Sequence, residues 1–118
     1  MTNLVTIALA VLLSVESRGH DPAHVPTGDG GLAVGPYQMH PCAVREANRI
    51  IGRPLWTLAD RRDLAKSRDM CGVTLRWHLD RAPGVTLQRL CERWQMPFGE
   101  ASDAYKEAVR AVIERITK

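Results

Sequence analysis

An almost unbroken apolar run, from Leu4 to Val15, constrains the fold of this chain more than any other feature. Its apolar residues occupy every face of a helix, which is the pattern of a helix surrounded by other helices. The run is shorter than the ~20 residues that cross a bilayer, so we predict no membrane insertion. We therefore expect a buried central helix over residues 1–15, with Glu16 at its carboxyl end.

The segment after this helix, residues 19–41, is rich in residues that interrupt helices. It holds five glycines and four prolines, so no helix is expected to persist there. We predict a long loop with a short irregular β-hairpin, whose second arm covers residues 34–39. Asp21 stands directly before Pro22 and is interpreted as a turn residue.

The spacing of apolar residues and the positions of helix-breaking Gly and Pro predict four more helices in the rest of the chain. They cover about residues 43–51, 58–81, 87–95 and 101–116. Thr57 followed by Asp60 resembles a capping box at the start of the third helix, and Thr86 suits the cap of the fourth. The predicted fold class is mainly α (α+β), with about five helices around a buried central helix and a short hairpin. Residues 1–118 are expected to form one domain.

Composition and charge narrow the function only slightly. The net charge of +3 favours contact with a polyanion, such as nucleic acid, an anionic membrane surface or a bacterial wall. The chain has neither a glycine-aromatic RNA-binding signature nor a compact basic recognition helix. We therefore do not expect nucleic acid as the partner.

The three cysteines, Cys42, Cys71 and Cys91, cannot form a closed disulfide framework. We interpret them as small buried hydrophobic residues of a protein made in a reducing compartment. Two pairs of candidate metal ligands, His20 with His24 and His40 with Cys42, are each interrupted by a proline. Because neither pair shares the face of a regular helix, we expect no metal and no cofactor.

Glu16 is the residue best suited to acid–base chemistry. It closes the apolar helix, where the helix dipole places partial negative charge, and it lies at the rim of the predicted core. Both the dipole and burial disfavour the charged form, so they raise the pKa of the carboxyl group. A glutamic acid that keeps its proton near neutrality can act as a general acid. The alternative is a solvated residue past the end of a helix.

Asp29 is the candidate second carboxylate. A pair of carboxyl groups on opposite sides of a cleft is the arrangement that glycosidic-bond cleavage uses. Asp29 also has a simpler interpretation, because Asp is favoured in tight turns such as Gly28-Asp29-Gly30-Gly31. His40 is interpreted as a solvated loop histidine, with a hydrogen bond to Asp29 or to substrate as the alternative.

Three blocks of sequence together resemble the catalytic segment of the lysozyme-like superfamily. They are Glu16-Ser17-Arg18-Gly19, Gly28-Asp29-Gly30-Gly31 and Gly35-Pro36-Tyr37-Gln38-Met39. The segment is most similar to invertebrate-type lysozymes and their small bacterial and phage relatives, and it also resembles lytic transglycosylases. The resemblance implies a lysozyme-like fold whose hairpin lines a cleft, with Glu16 as the acid and Asp29 as the nucleophile or ion-stabilising carboxylate.

The same resemblance implies roles for further residues. Substrate would be bound by Gly35, Tyr37, Gln38 and Met39 of the hairpin strand and by Tyr105, which relatives place beside the acid. Arg93-Trp94-Gln95 stands where relatives often carry a His-Asn-Gly-Gly turn. The far wall of the cleft is therefore expected to differ from that of the family.

The resemblance implies a lysozyme-type muramidase, which hydrolyses the β-1,4 bond between N-acetylmuramic acid and N-acetylglucosamine in peptidoglycan. Two alternatives stay open: a lytic transglycosylase that forms 1,6-anhydro products, and a non-catalytic wall-binding module. The expected partner is the glycan strand, bound by a monomer.

The apolar run lacks the basic residues that open a signal peptide, and cleavage near Ser14 would remove the helix that carries Glu16. We therefore expect no signal peptide. The expected route is synthesis in the cytoplasm, with action at the cell wall or in the periplasm after release or delivery.

Overall fold

The computed structural model describes residues 3–118 and consists mainly of α-helix. The five helices are α1 (Leu4–Ser17), α2 (Pro41–Ile51), α3 (Leu64–Arg81), α4 (Leu87–Gln95) and α5 (Asp103–Ile116). Short 3₁₀ turns cover Pro22–His24, Asp29–Gly31 and Leu58–Arg62. The predicted mainly α class, with about five helices, is confirmed.

α1 is the central element of the core. It packs against α3, α4 and α5, and its fully buried residues are Ala8, Val11 and Leu12. These three neighbours cover only part of its circumference. One stripe of α1 therefore stays exposed, unlike the fully surrounded helix that was predicted, and it carries Thr6, Ala10 and Ser14.

The ends of α1 differ from the predicted range of residues 1–15. The side chain of Asn3 accepts the backbone N–H of Thr6 at 2.8 Å and starts the helix. Arg18, in a left-handed conformation with φ of 52°, ends it. Glu16 therefore lies within the last turn of α1. Residues 1 and 2, which the prediction included, lie outside the described residues.

The helix predicted over residues 58–81 is divided in two. Its first part, Leu58–Arg62, is a 3₁₀ turn, and the capping box of Thr57 and Asp60 belongs to this turn. Asp63 then leaves the helical conformation, with ψ of 122°, and its side chain accepts the backbone N–H of Lys66 at 2.9 Å. Asp63 therefore acts as the N-cap of a new helix, α3, because its carboxylate satisfies an otherwise unpaired N–H group.

The segment between α1 and α2 is a series of tight turns, and the predicted two-armed hairpin is wrong in detail. Two isolated antiparallel bridges join Gly28 to Ala33 and Val34 to Met39. The predicted second arm is therefore a turn that folds back on itself, which we call the Val34–Met39 turn. Gly35 (φ 83°) and Gln38 (φ 50°) adopt left-handed conformations that a strand does not allow.

Three contacts hold the Val34–Met39 turn in place. Tyr37 is 1% exposed, and its hydroxyl donates to the carbonyl of Leu9 in α1 at 3.2 Å. Gly35 lies against the backbone of Arg61, since a Cβ on Gly35 would come within 1.8 Å of the Arg61 carbonyl oxygen. The Arg61 guanidinium also donates to the carbonyl of Met39 at 3.2 Å. The turn is thus positioned by α1 and by the 3₁₀ turn Leu58–Arg62.

Two of the three cysteines are buried as predicted. Burial raises the pKa of the Cys91 thiol to about 12, and that of Cys71 is also well above its ordinary value. Cys42 is exposed, so its predicted burial is wrong. It lies on the first turn of α2, whose buried face carries Val44 and Ala47 instead. From residue 3 onward, no helix is long and apolar enough to cross a membrane.

Candidate active site

A cleft of about 930 Å³ lies beside the carboxyl end of α1. Its size is within the range of ~300–1,000 Å³ that is usual for ligand sites. The side chains that line it come from separate parts of the chain and include Glu16, Asp29, Gln38, Trp77, His78 and Tyr105. It is the candidate functional site.

Glu16 lies in the wall of this cleft with its carboxyl group largely buried. Burial raises its pKa from 4.5 to about 7. The hydrogen bond from Tyr105 and the positive charge of Arg18 lower the pKa, while the negative charge of Asp29 raises it. Burial has the largest effect, so a substantial fraction of Glu16 is still protonated at neutral pH. The predicted direction of this pKa shift is confirmed.

Tyr105 reaches Glu16 from the first turn of α5. Its hydroxyl donates to Oε2 of Glu16 at 2.7 Å. The hydroxyl of Ser102 accepts the backbone N–H of Tyr105 at 3.2 Å, and the side chain of Gln95 accepts the backbone N–H of Ser102 at 2.9 Å. Burial and the charge of Glu16 raise the pKa of Tyr105, so its hydroxyl remains a hydrogen-bond donor. Tyr105 therefore lies beside Glu16, as the resemblance implied.

We expect Tyr105→Phe to raise the pKa of Glu16 further. The lost hydrogen bond stabilises the charged carboxylate, so its removal favours the protonated form. Titration of the Glu16 side-chain carboxyl carbon by NMR measures this pKa directly. Tyr37→Phe is the matched control, because that hydroxyl bonds to Leu9 instead. An unchanged pKa in Tyr105→Phe, or equal shifts in both variants, would contradict the assigned contact.

Asp29 lines the same cleft but is more accessible than Glu16, with 70% of its side chain exposed. Its backbone is left-handed, with φ of 49°, which suits the tight turn Asp29–Gly31. Its carboxylate contacts Nε2 of His40 at 2.8 Å. The His40 side chain is 38% exposed, so it is the solvated loop histidine that the sequence favours, and it also makes the alternative bond to Asp29. The geometry of Asp29 suits both a turn residue and a second carboxylate.

Gln38 lines the cleft and connects the turns around it. Its side-chain amide donates to the carbonyls of Pro26 at 3.1 Å and Gly35 at 3.0 Å. The Arg18 guanidinium donates to the same Pro26 carbonyl at 3.0 Å and to Oε1 of Gln38 at 3.5 Å. These bonds join the carboxyl end of α1 to the loop that carries Asp29. Gln38 therefore positions the loop in addition to lining the cleft.

Two predicted substrate-binding residues do not line the cleft. Tyr37 is directed into the core towards α1, and Gly35 is packed against Arg61. This corrects their predicted role, and the reason is that the left-handed turn replaces the regular alternation of a strand. Met39 is 1% exposed, yet it forms part of the cleft wall.

The sequence interpretation missed the far wall of the cleft. This wall includes Trp77 and His78 of α3, Trp94 of α4, and Met96 and Phe98 of the loop that follows α4. The indole N–H of Trp94 donates to the carbonyl of Tyr37 at 3.0 Å, so Trp94 also supports the Val34–Met39 turn. The available signal was Phe98 itself, the single Phe of the chain, in the break Pro97-Phe98-Gly99.

Residues 3–118 contain no group of three or more His, Cys, Asp and Glu side chains that could hold a metal ion. Comparison of the chain with protein-family models, with curated proteins and with solved structures finds no match. The function is therefore inferred from the chemistry of the cleft and from the sequence blocks that meet there.

Proposed function

We propose that this protein is a peptidoglycan glycosidase of the lysozyme type, with a lysozyme-like fold and Glu16 as general acid. The observation that carries the proposal is the state of Glu16: a largely buried carboxyl in a cleft wall, with a pKa of about 7 and a hydrogen bond from Tyr105. Asp29 and Gln38, from the two other resembling blocks, line the same cleft. The substrate is the β-1,4 bond between N-acetylmuramic acid and N-acetylglucosamine.

In the proposed reaction, protonated Glu16 gives its proton to the glycosidic oxygen while the bond from that oxygen to the anomeric carbon breaks. The leaving sugar departs as a neutral alcohol, and the anomeric carbon gains positive charge. The carboxylate of Asp29 stabilises this charge or bonds to the carbon. Water then adds to the anomeric carbon and returns a proton to Glu16, so one water is consumed for each bond cleaved. Tyr105 stabilises the Glu16 carboxylate between the two steps.

The second candidate is a lytic transglycosylase, which the environment of Asp29 favours. Asp29 is 70% exposed and already paired with His40, so it is less enclosed than the acid. In this mechanism Glu16 acts first as acid and then as base. The C6 hydroxyl of the same sugar replaces water, and the product is a 1,6-anhydro sugar.

Digestion of purified wall sacculi tests the proposal. A glycosidase clears the suspension, and mass spectrometry of the soluble products identifies the chemistry. Hydrolysis gives reducing ends, whereas the anhydro product is lighter by one water. Protein that sediments with the sacculi without clearing them is a wall-binding module, and that result would reject the glycosidase.

Asp29→Asn is expected to lower the clearing rate more than tenfold, which corresponds to ~1.4 kcal/mol of transition-state stabilisation. Asn keeps the shape of the side chain but not the charge that stabilises the developing cation. The fold should remain intact, because Asn tolerates the left-handed conformation well. Circular dichroism and sacculus clearing provide the two measurements. A smaller loss of rate would leave Asp29 as a turn residue and favour the one-carboxylate mechanism.

A further inference from the structure

Three aromatic rings, those of Trp77, His78 and Phe98, form a cluster in the cleft that the mechanism above does not use. The ring centroids of Trp77 and His78 are 5.0 Å apart. The Phe98 centroid lies 6.2 Å from that of Trp77 and 6.0 Å from that of His78. The cluster joins α3 to the loop after α4. This is the far wall of the cleft, which the sequence predicts to differ from that of the lysozyme-like superfamily.

Trp77 is the support of this cluster. The Arg81 guanidinium lies 3.7 Å from the centre of its ring, and that of Arg49 lies 5.7 Å away. Arg49 is in turn paired with Glu46. Because cations bind to the face of an aromatic ring, these contacts engage the surface on which a ligand would stack. Trp77 therefore orients its neighbours and is not itself the open surface.

Phe98 provides the open surface. It is 74% exposed, and the neighbouring Met96 is 41% exposed. Its ring meets that of Trp77 at 88°, so the two rings contact each other without stacking. An exposed aromatic ring in the wall of a concave site is a typical ligand contact, because burying it against a ligand removes a large apolar area from water.

His78 provides a hydrogen-bonding group beside Phe98. It is only 5% exposed, and within the described residues the protein offers its imidazole no hydrogen-bond partner. Burial lowers the pKa of His78, so at neutral pH the ring is uncharged, with one nitrogen that donates and one that accepts. Within residues 3–118, Nε of Arg93 is the only fully buried side-chain nitrogen or oxygen without a partner, so the nitrogens of the His78 ring keep some accessible surface. His78 lines the cleft, and a ligand there can therefore hydrogen-bond to it.

The charges around the cluster favour a neutral ligand. The charged side chains that line the cleft near it are Glu46 and Glu100. Each already has a partner, since Glu46 pairs with Arg49, and Glu100 contacts Lys106 at 2.6 Å. The lactyl carboxylate of a muramoyl residue would therefore find no unpaired cation among the residues that line this part of the cleft. An uncharged sugar ring needs no such cation, and it has an apolar face for Phe98 and polar groups for His78.

We propose that Phe98 and His78 form a binding subsite for an N-acetylglucosamine ring of the glycan strand. Phe98 stacks on the apolar face of the sugar, and His78 hydrogen-bonds to its hydroxyl or acetamido group. The inference rests on the glycosidase proposed above and adds an orientation to it. The neutral sugar, not the muramoyl residue, occupies the Phe98 end of the cleft.

A binding experiment in the Glu16→Gln background, which prevents turnover, tests the subsite. The probe is the neutral β-1,4-linked tetramer of N-acetylglucosamine, followed by tryptophan fluorescence, because Trp77 and Trp94 line the cleft. We expect Phe98→Ala to weaken binding about tenfold. His78→Phe keeps an aromatic ring but removes the hydrogen bond, and should weaken binding about fivefold. Leu55→Ala is the matched control, since Leu55 is 48% exposed but lies outside the cleft.

The outcomes distinguish a failure of the proposed subsite from a failure of the proposed glycosidase activity. If the tetramer fails to bind, or binds Phe98→Ala as tightly as its parent, the subsite is wrong even when the wild type clears sacculi. If binding depends on Phe98 but no sacculi are cleared, the subsite stands and the glycosidase is rejected. Tighter Phe98-dependent binding of a muramoyl oligosaccharide or of an oligonucleotide would overturn the assignment to a neutral sugar.

Discussion

Glu16→Gln is expected to lower the rate of sacculus clearing by ~10²–10⁴ while leaving the fold intact. The amide has nearly the same volume as the carboxyl group, and its oxygen can still accept the hydrogen bond from Tyr105. It cannot supply a proton to the glycosidic oxygen. The assay compares initial clearing rates of the two purified proteins, with circular dichroism as the test of folding. Wild-type clearing by the variant would reject the assignment of Glu16 as general acid.

The same variant tests the pKa of Glu16 without a substrate. In the unfolded chain the carboxyl ionises near 4.5, whereas in the folded protein its pKa is about 7. Between these values the unfolded state binds fewer protons, so the free energy of unfolding falls as the pH rises. Urea unfolding at about pH 4 and about pH 8 should therefore show that the wild type loses stability relative to Glu16→Gln at the higher pH. A difference that does not change with pH would contradict the raised pKa.

Gly35→Ala is expected to lower the free energy of unfolding by roughly 3 kcal/mol or more. Gly35 has φ of 83°, and an added Cβ would lie 1.8 Å from the carbonyl oxygen of Arg61. The obstructing atom belongs to the backbone, so the 3₁₀ turn Leu58–Arg62 or the Val34–Met39 turn must move. Denaturant unfolding measures the loss. Clearing activity should fall as well, because Gln38 in the displaced turn holds the loop that carries Asp29.

Gly19→Ala is the matched control for this variant. Gly19 has nearly the same φ, 80°, but its added Cβ would meet no atom within 4 Å. It should cost only the ~1–2 kcal/mol of a left-handed residue that is not glycine. The difference in the free energy of unfolding between the two variants therefore measures the cost of the close approach to Arg61. Equal losses would show that the Val34–Met39 turn does not pack against Arg61 as described.

The helices were the most predictable part of this protein, because their signals are local. α4 has the predicted bounds, residues 87–95, since Thr86 caps its start and Pro97 follows closely after its end. The raised pKa of Glu16 was also predictable in direction, because the apolar run before it must be buried. The helix predicted over residues 58–81 has the correct end, but its start is wrong because the N-cap signal of Asp63 lies inside a pattern that otherwise continues.

The sequence by itself determined that an apolar helix forms the centre of the core, that no helix continues through residues 19–41, and that a carboxylic acid, Glu16, stands at the end of α1. Only the tertiary structure decided which side chains meet in the cleft. The Tyr105 hydroxyl hydrogen-bonds to Glu16 in the cleft, whereas the Tyr37 hydroxyl hydrogen-bonds to the carbonyl of Leu9 and lies outside the cleft. Both bonds join residues that are far apart in the chain. Phe98 and its neighbours on α3 likewise become one surface only when the helices pack. Periodicity describes which face of an element is apolar, but it carries no information about which other element covers that face.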